Sequence, residues 1–291
     1  MIKEIEAKTL LSRNKKPSSW FGTHYLFNIY RGCQHKCIYC DSRSLCYRID
    51  NFDDLLVKKN SVELLRKELK SKRKKGTIGT GSMSDPYTIS EKDYKLTRGC
   101  LKVISDYNYP VHITTKSNLI LRDVDILTEI NKIYACVAMT VTTTNDDLSS
   151  IIEPGAPKSS ERLKAVGVLS SLGINTCITM MPILPFIEDT EENIKEIVNQ
   201  ADYYGVKYIT PWLGMTLRDR QKDYYYKQLD KYFLGVKQKY ENIYKDKYTC
   251  YIPNYKKLTN ILKEECFKRN ISLKMPSYDD KKNSIQLSMF E

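Results

Sequence analysis

RGCQHKCIYCDS, residues 31–42, sets Cys33, Cys37 and Cys40 within eight positions, with three residues in the first gap and two in the second. Gaps of that size let one loop curl until all three thiols face a common centre. A structural zinc wants four ligands, usually as two separated pairs, and here the fourth would have to be Cys46 or His35. Three thiolates on a cubane of four irons instead leave one iron without a protein ligand, open to a small molecule. Tyr39 stands directly before the last cysteine of the set.

The rest of the chain bounds what such a loop belongs to. With 291 residues it can bury a large core as one main domain. Nine cysteines, an odd number scattered apart from this cluster, read as one metal site and several buried thiols in a reducing compartment, and a disulfide framework is the poorer account. The stretch MIKEIEAKTLLSRNKK is charged throughout, and no long uncharged apolar window follows it, so a soluble cytoplasmic protein without a membrane span is expected. The formal charge of +12 points to a polyanionic partner, although a lysine-rich composition alone also produces it.

Downstream, β-like and helix-like segments alternate. Asn60, with Glu63 three residues on, reads as a capping box opening a helix that ends before Gly76. TIGTGSMSD is a strand running into a loop, Asp93 to Tyr107 is helical, and VHITTKS from Val111 and ACVAMTVTT from Ala135 are strands. Helix SSERLKAVGVLSSLG leads to NTCITMMPILP, and helix TEENIKEIVNQADYYG leads to VKYITPWLGM. Crossovers of this length give a parallel sheet of about six strands, with ligands gathering at their carboxyl ends. After Thr216 two polar helices with no strand between them are expected. The division reads as an N-terminal extension over 1–22, a barrel over 23–215, a helical region over 216–275 and a tail over 276–291.

C-x-x-x-C-x-x-C with an aromatic before the last cysteine resembles the signature of the radical S-adenosylmethionine (SAM) superfamily. That resemblance implies an α/β fold, a partial (β/α)6 barrel of radical SAM type with a C-terminal helical extension. It implies a 4Fe-4S cluster on Cys33, Cys37 and Cys40, SAM bound at the open iron, an external electron donor, and cleavage of SAM to a 5′-deoxyadenosyl radical. GSMSDPY sits where the superfamily takes the SAM ammonium, which assigns Ser84 and Asp85. Lys116, in ITTKS, is placed to pair with the SAM carboxylate, and Thr140 and Thr142 are further cofactor candidates. The runs NIYRGCQHKCIYC, SMSDPY, TTKSNLILRDVDIL and EPGAPKSSERLKAV resemble in order the spore photoproduct lyase-like branch, over roughly residues 24 to 215. In that branch the radical acts on a thymine lesion in DNA. Glu153 and Arg162 then lie near the cofactor, or form an ion pair stapling loop to helix. TGSMSDPY holds no cysteine where the lyases proper carry one that returns hydrogen to the product. Cys46, and after it Cys177, are the candidates for that donor, and the substrate is expected to differ.

Two further signals favour nucleic acid. KSKRKK, Lys70 to Lys75, clusters positive charge, and Tyr224 to Tyr255 mixes Tyr with Lys, which suits base stacking or a solvated helix face over the barrel. The tail QLSMF resembles the bacterial sliding-clamp-binding peptide, with Gln286 at a pocket rim and Leu287, Met289 and Phe290 inside it. The rival readings are radical modification of tRNA or a peptide, and a zinc-stabilised nucleic-acid-binding module without activity.

Overall fold

Val111–Thr115 and Ala135–Thr140 are apolar, β-branched runs whose side chains are almost all buried. A strand covered on both faces belongs inside a parallel sheet with helices packed on it. A computed structural model, which describes residues 1–18, 20–275, 277 and 278, has them at the centre of such a sheet.

The chain begins with β1 (Ile2–Ile5), β2 (Ser12–Arg13), β3 (Tyr25–Leu26), β4 (Tyr30–Arg31) and β5 (Leu55–Lys58). Helix α1 (Ser61–Lys70) leads to β6 (Ile78–Thr80), helices α2 (Glu91–Tyr94) and α3 (Leu96–Asp106) to β7 (Val111–Thr115), and α4 (Val124–Asn131) to β8 (Ala135–Thr140). Helices α5 (Asp146–Ile152) and α6 (Ser159–Ser171) precede β9 (Asn175–Met180), and α7 (Glu191–Tyr203) precedes β10 (Tyr208–Pro211). Then come β11 (Gly214–Thr216), α8 (Asp219–Tyr232), α9 (Val236–Tyr244), β12 (Thr249–Tyr251) and α10 (Tyr255–Lys268).

The main sheet runs β10-β9-β8-β7-β6-β3-β2. Every pair from β3 to β10 is parallel, and β2 closes that edge antiparallel to β3. Six parallel strands in sequential order joined by helical crossovers meet the α/β expectation. One cavity is lined from β3, β6, β7, β8 and β9 of this sheet and by Trp212 just past β10. A flat sheet cannot surround a cavity in this way, so the sheet curves round it as a partial barrel.

Three local expectations change. Asn60 makes no cap hydrogen bond; its Oδ1 accepts from the Ala7 amide and its Nδ2 donates to the Ala7 carbonyl, each at 3.0 Å, tying the N-terminal segment to the start of α1. The N-terminal extension contributes strands of its own, Ile2–Ile5 as β1 parallel to β5 and Ser12–Arg13 as β2 on the main sheet. The C-terminal region is not two unbroken helices: α8 and α9 part at Gly235, whose φ of +81° is left-handed, and β12 intervenes and pairs antiparallel with β11. Tyr225, Tyr226, Tyr240 and Tyr244 are buried in a second core packed against the cysteine loop, with the Tyr225 and Tyr240 hydroxyls 3.0 Å apart. They therefore offer no base-stacking face. Gln286, Leu287, Met289 and Phe290 lie outside the described residues. Among those described, no helix is long and apolar enough to cross a membrane.

Candidate active site

The cysteine loop leaves β4 through Gly32, whose φ is +80° and where a Cβ would stand 2.1 Å from the Asp54 carbonyl oxygen. Only glycine fits that approach. Two neighbouring segments then grip the loop. From one side Ser84 Oγ donates to the Gly32 carbonyl at 2.5 Å, and Gln34 Oε1 accepts from the Ser90 amide at 2.8 Å. From the other, the Gly155 amide donates to the His35 carbonyl and Ile152 accepts from the Ile38 amide, both at 2.9 Å. The EPGAP run thus has a plain purpose, since a Cβ at Gly155 would lie 2.1 Å from the Gln34 carbonyl oxygen. So held, Cys33, Cys37 and Cys40 line a cavity of about 350 Å³. Burial pushes the thiols of Cys33 and Cys37 up to about 12 and that of Cys40 to about 11.

Facing them, the loops after β6 and β7 meet at Asp85. Its Oδ1 accepts from Thr115 Oγ1 at 2.7 Å and the Tyr87 amide at 2.8 Å; its Oδ2 accepts from the Lys116 amide at 2.7 Å and lies 3.3 Å from His35 Nδ1. Burial alone would raise this carboxyl, but His35 and these hydrogen bonds outweigh it and hold it at about 2. The sequence reading gave Asp85 to the SAM ammonium. Both oxygens are instead engaged by the protein's own groups, so Asp85 locks His35 of the cysteine loop to the end of β7.

Behind the loop lies a buried charge cluster. Tyr39 donates to Glu153, and Arg162 pairs with Glu153 while also donating to the carbonyls of Pro157 at 2.7 Å and Thr140 at 3.1 Å. This is the staple of loop to helix that the ion-pair reading describes, and it also contacts the cysteine loop. Lys116 Nζ stands 3.9 Å from Glu153 Oε1 and 5.7 Å from the centre of the Tyr39 ring. Burial opposes ionisation of Glu153, yet Arg162 and then Lys116 hold its carboxyl below the usual range. Burial pulls Lys116 down, and the Cys37 sulfur followed by Glu153 overrule it, so the amine stays charged. Glu188, by contrast, is pushed well above the usual carboxylate range by burial.

Of the residues picked from sequence, Cys33, Cys37, Tyr39, Cys40, Ser84, Asp85, Lys116 and Thr140 line this one cavity, whereas Thr142 and Cys46 are not part of its lining. Cys46 is exposed, its sulfur 3.1 Å from Arg218 Nη1 and 3.4 Å from Ser44 Oγ. Arg218 in turn pairs at 2.7 Å with Asp41, a residue of the cavity lining, so Cys46 stands outside the cavity near its rim. Cys177 is buried on β9 with its sulfur 3.3 Å from Thr210 Oγ1. Sequence reasoning considered His35 only as a fourth ligand of a zinc and missed His112, Thr179 and Trp212; all four are in the lining. The alternation of VHITT puts His112 and Thr114 on one face of β7, which was the available signal for the first of that strand's two.

A curved parallel sheet whose cavity is walled by three cysteines of one loop, with a buried lysine opposite, is the frame of a cofactor-dependent barrel enzyme. A sequence model of the radical SAM superfamily matches residues 27–208. An uncharacterized protein of Methanocaldococcus jannaschii is 35% identical over 72% of this chain and 77% of its own length, and one of Mycobacterium bovis is 27% identical over 83% and 73%. Spore photoproduct lyase with bound AdoMet and dinucleoside spore photoproduct has a similar fold, with a TM-score of 0.68 over 92% of this chain and 79% of that one at 14% identity. The chain belongs to the radical SAM superfamily and has a spore photoproduct lyase-like fold. It is a radical SAM enzyme, and its family implies SAM and an iron–sulfur cluster as cofactors.

Proposed function

We propose that Cys33, Cys37 and Cys40 hold a 4Fe-4S cluster, that SAM binds beside it, and that the substrate is DNA, in repair or base modification. The observation that carries this reading is the meeting of three cysteines of one loop on a cavity wall opposite Lys116. The donor set fits the group. Three thiols of one loop line the same cavity, and a cubane held by three cysteines through three of its irons needs just such a set. Bound and reduced, the cluster supplies the electron that splits SAM into methionine and a 5′-deoxyadenosyl radical.

The chain's own residues bind and orient. Lys116 takes the SAM carboxylate, because Lys116 and Arg162 share one ionised partner, Glu153, and leave a surplus positive charge at the cavity. Ser84 Oγ donates to Gly32 and keeps its lone pairs for the ammonium. Thr140 borders the adenosine side, and Tyr39 is fixed by Glu153. Asp85 acts as a positioning residue. Support for DNA comes from the +12 charge, from the largely exposed run Lys70 to Lys75 at the end of α1, and from the nucleic-acid ligand of the structurally similar lyase. The tail carries a second proposal, docking of Gln286, Leu287, Met289 and Phe290 on a bacterial sliding clamp.

The test of substrate class is deuterium transfer. Reconstituted protein, reductant and SAM are given deuterated DNA, RNA or peptide, and 5′-deoxyadenosine is analysed by mass. Label from DNA alone is expected; label from RNA or peptide alone overturns the substrate.

A further inference from the structure

Two cationic stretches meet at one end of the main sheet. Residues 7–23 hold Lys8, Arg13, Lys15 and Lys16, residues 69–84 hold Lys70, Lys72, Arg73, Lys74 and Lys75, and neither stretch contains an aspartate or glutamate. Strand pairing brings them together. Arg13 of β2 stands opposite Tyr25 of β3, which stands opposite Ile78, the first residue of β6. The Asn14 amide donates to the His24 carbonyl at 2.9 Å and the His24 amide to the Thr77 carbonyl at 2.8 Å. Lys15 and Lys16 therefore run on past the amino end of β3, beside Lys74 and Lys75 at the amino end of β6. Tyr25 Oη donates to the Lys74 carbonyl at 2.8 Å, and Lys75 Nζ lies 5.8 Å from the centre of the Tyr109 ring. Glu68, the acid just before the second stretch, accepts from the Leu10 and Leu11 amides at 2.9 and 2.8 Å and ties the first stretch to α1. Arg13, Lys15, Lys16, Arg73, Lys74 and Lys75 are all exposed.

This shelf lies at the opposite end of the strands from the cofactor-side groups. Asp85 follows β6 and Lys116 follows β7, so the cavity wall they share with the cysteines lies beyond the carboxyl ends. Between the two ends runs β8, six residues and about 20 Å long. A row of phosphates lying on the shelf is therefore not the segment that reaches the cysteines.

The surroundings select among polyanions. The two rows of cations are two strand spacings apart, about 10 Å, which is the scale of a groove between the phosphate chains of a duplex. Single strands are held by stacking on exposed aromatic rings, whereas Tyr25 and Tyr109, beneath these cations, are buried. Firm seating on a bilayer needs apolar side chains beside the basic ones, and RNKK from Arg13 and KRKK from Lys72 offer none.

We propose that this shelf binds the phosphate backbone of duplex DNA without regard to sequence, retaining the enzyme on DNA from the end of the barrel remote from the cysteines. The inference takes its partner from the proposed action on DNA and adds a second point of contact to it.

Full-length reconstituted protein is titrated into a fluorescent duplex of about 20 base pairs, two helical turns, over a range of salt. Two variants neutralise the shelf, Arg13→Gln/Lys15→Gln/Lys16→Gln and Arg73→Gln/Lys74→Gln/Lys75→Gln. A third, Lys227→Gln/Lys256→Gln/Lys263→Gln, removes the same charge from exposed positions of α8 and α10. Each shelf variant weakens the duplex at least about tenfold and lowers the slope of log affinity against log salt by about 2 to 3, as the loss of about three phosphate contacts requires. The third variant binds as the wild type does, and all three cleave SAM without DNA at the wild-type rate. An equal loss in the third variant reduces the effect to net charge and overturns the proposal. Unchanged affinity in the shelf variants overturns it as well, as does tighter binding of the wild type to single-stranded DNA, duplex RNA or phosphatidylserine vesicles than to duplex DNA. If deuterium passes from DNA to 5′-deoxyadenosine while the shelf variants keep full affinity, the shelf alone fails. If no deuterium passes but duplex binding depends on the shelf, the substrate assignment fails and the shelf stands.

Discussion

Lys116 and Arg162 converge on Glu153, the ionised Asp85 nearby is paired by His35, and Glu188 is pushed well above the usual carboxylate range by burial. The excess positive charge is held in a site where Coulomb terms are strong, so an anionic ligand group is favoured there. Lys116→Met should weaken SAM binding to reconstituted protein about tenfold to a hundredfold, the range for losing a charged hydrogen bond; equilibrium dialysis with labelled SAM measures it, and unchanged affinity would remove Lys116 from the site. Arg162→Met strands the Glu153 carboxylate in the interior, and denaturant unfolding should register a loss of about 3–5 kcal/mol. Glu188 gives a pH signature. Its folded value lies above the ordinary 4.5, so the folded state holds a proton that the unfolded chain releases, and stability declines as pH rises past that value. The slope is about 1.4 kcal/mol per pH unit. Glu188→Gln should flatten this decline above about pH 5, measured by unfolding free energy at each pH; parallel curves for variant and wild type would contradict it.

At the scale of elements, the cysteine loop is shaped by contacts from the loop after β6 and from the turn after α5. Gly155→Ala drives a methyl group against the Gln34 carbonyl oxygen, 2.1 Å away. The expected outcome is a folded barrel by circular dichroism with reduced iron loading after reconstitution; full loading would mean that the grip does not matter. This level also separates what could be read from sequence. The core strands were legible because β8 is buried along its whole length and must be apolar whatever it packs against. The three cysteines were legible because spacing within one loop is a local property. The tie that Asp85 makes was not legible because its partners Thr115, Lys116 and His35 come from two other segments, and no local pattern records those hydrogen bonds. β12 escaped notice because three residues in a Lys- and Tyr-rich stretch carry no periodicity, and its partner β11 lies far upstream, with Thr216 opposite Thr249 and Gly214 opposite Tyr251. His112 was hidden as one polar residue in a strand, and its meaning depends on a cavity that forms only when the sheet curves.

For the whole molecule, the proposed action on DNA joins the cavity, the basic run Lys70 to Lys75 and the proposed clamp-binding peptide. Deleting Gln286 to Glu291 should abolish association with a bacterial sliding clamp in a pull-down with purified proteins while SAM cleavage continues; undiminished association would refute the tail's role. The most direct test of the central claim is iron, sulfide and 5′-deoxyadenosine measured together on anaerobically reconstituted protein. The wild-type chain should carry about four irons and four sulfides and release 5′-deoxyadenosine under dithionite, with Cys33→Ala, Cys37→Ala and Cys40→Ala each losing both. One zinc per chain without sulfide, or a triple alanine variant that still binds the cluster and cleaves SAM, would contradict it.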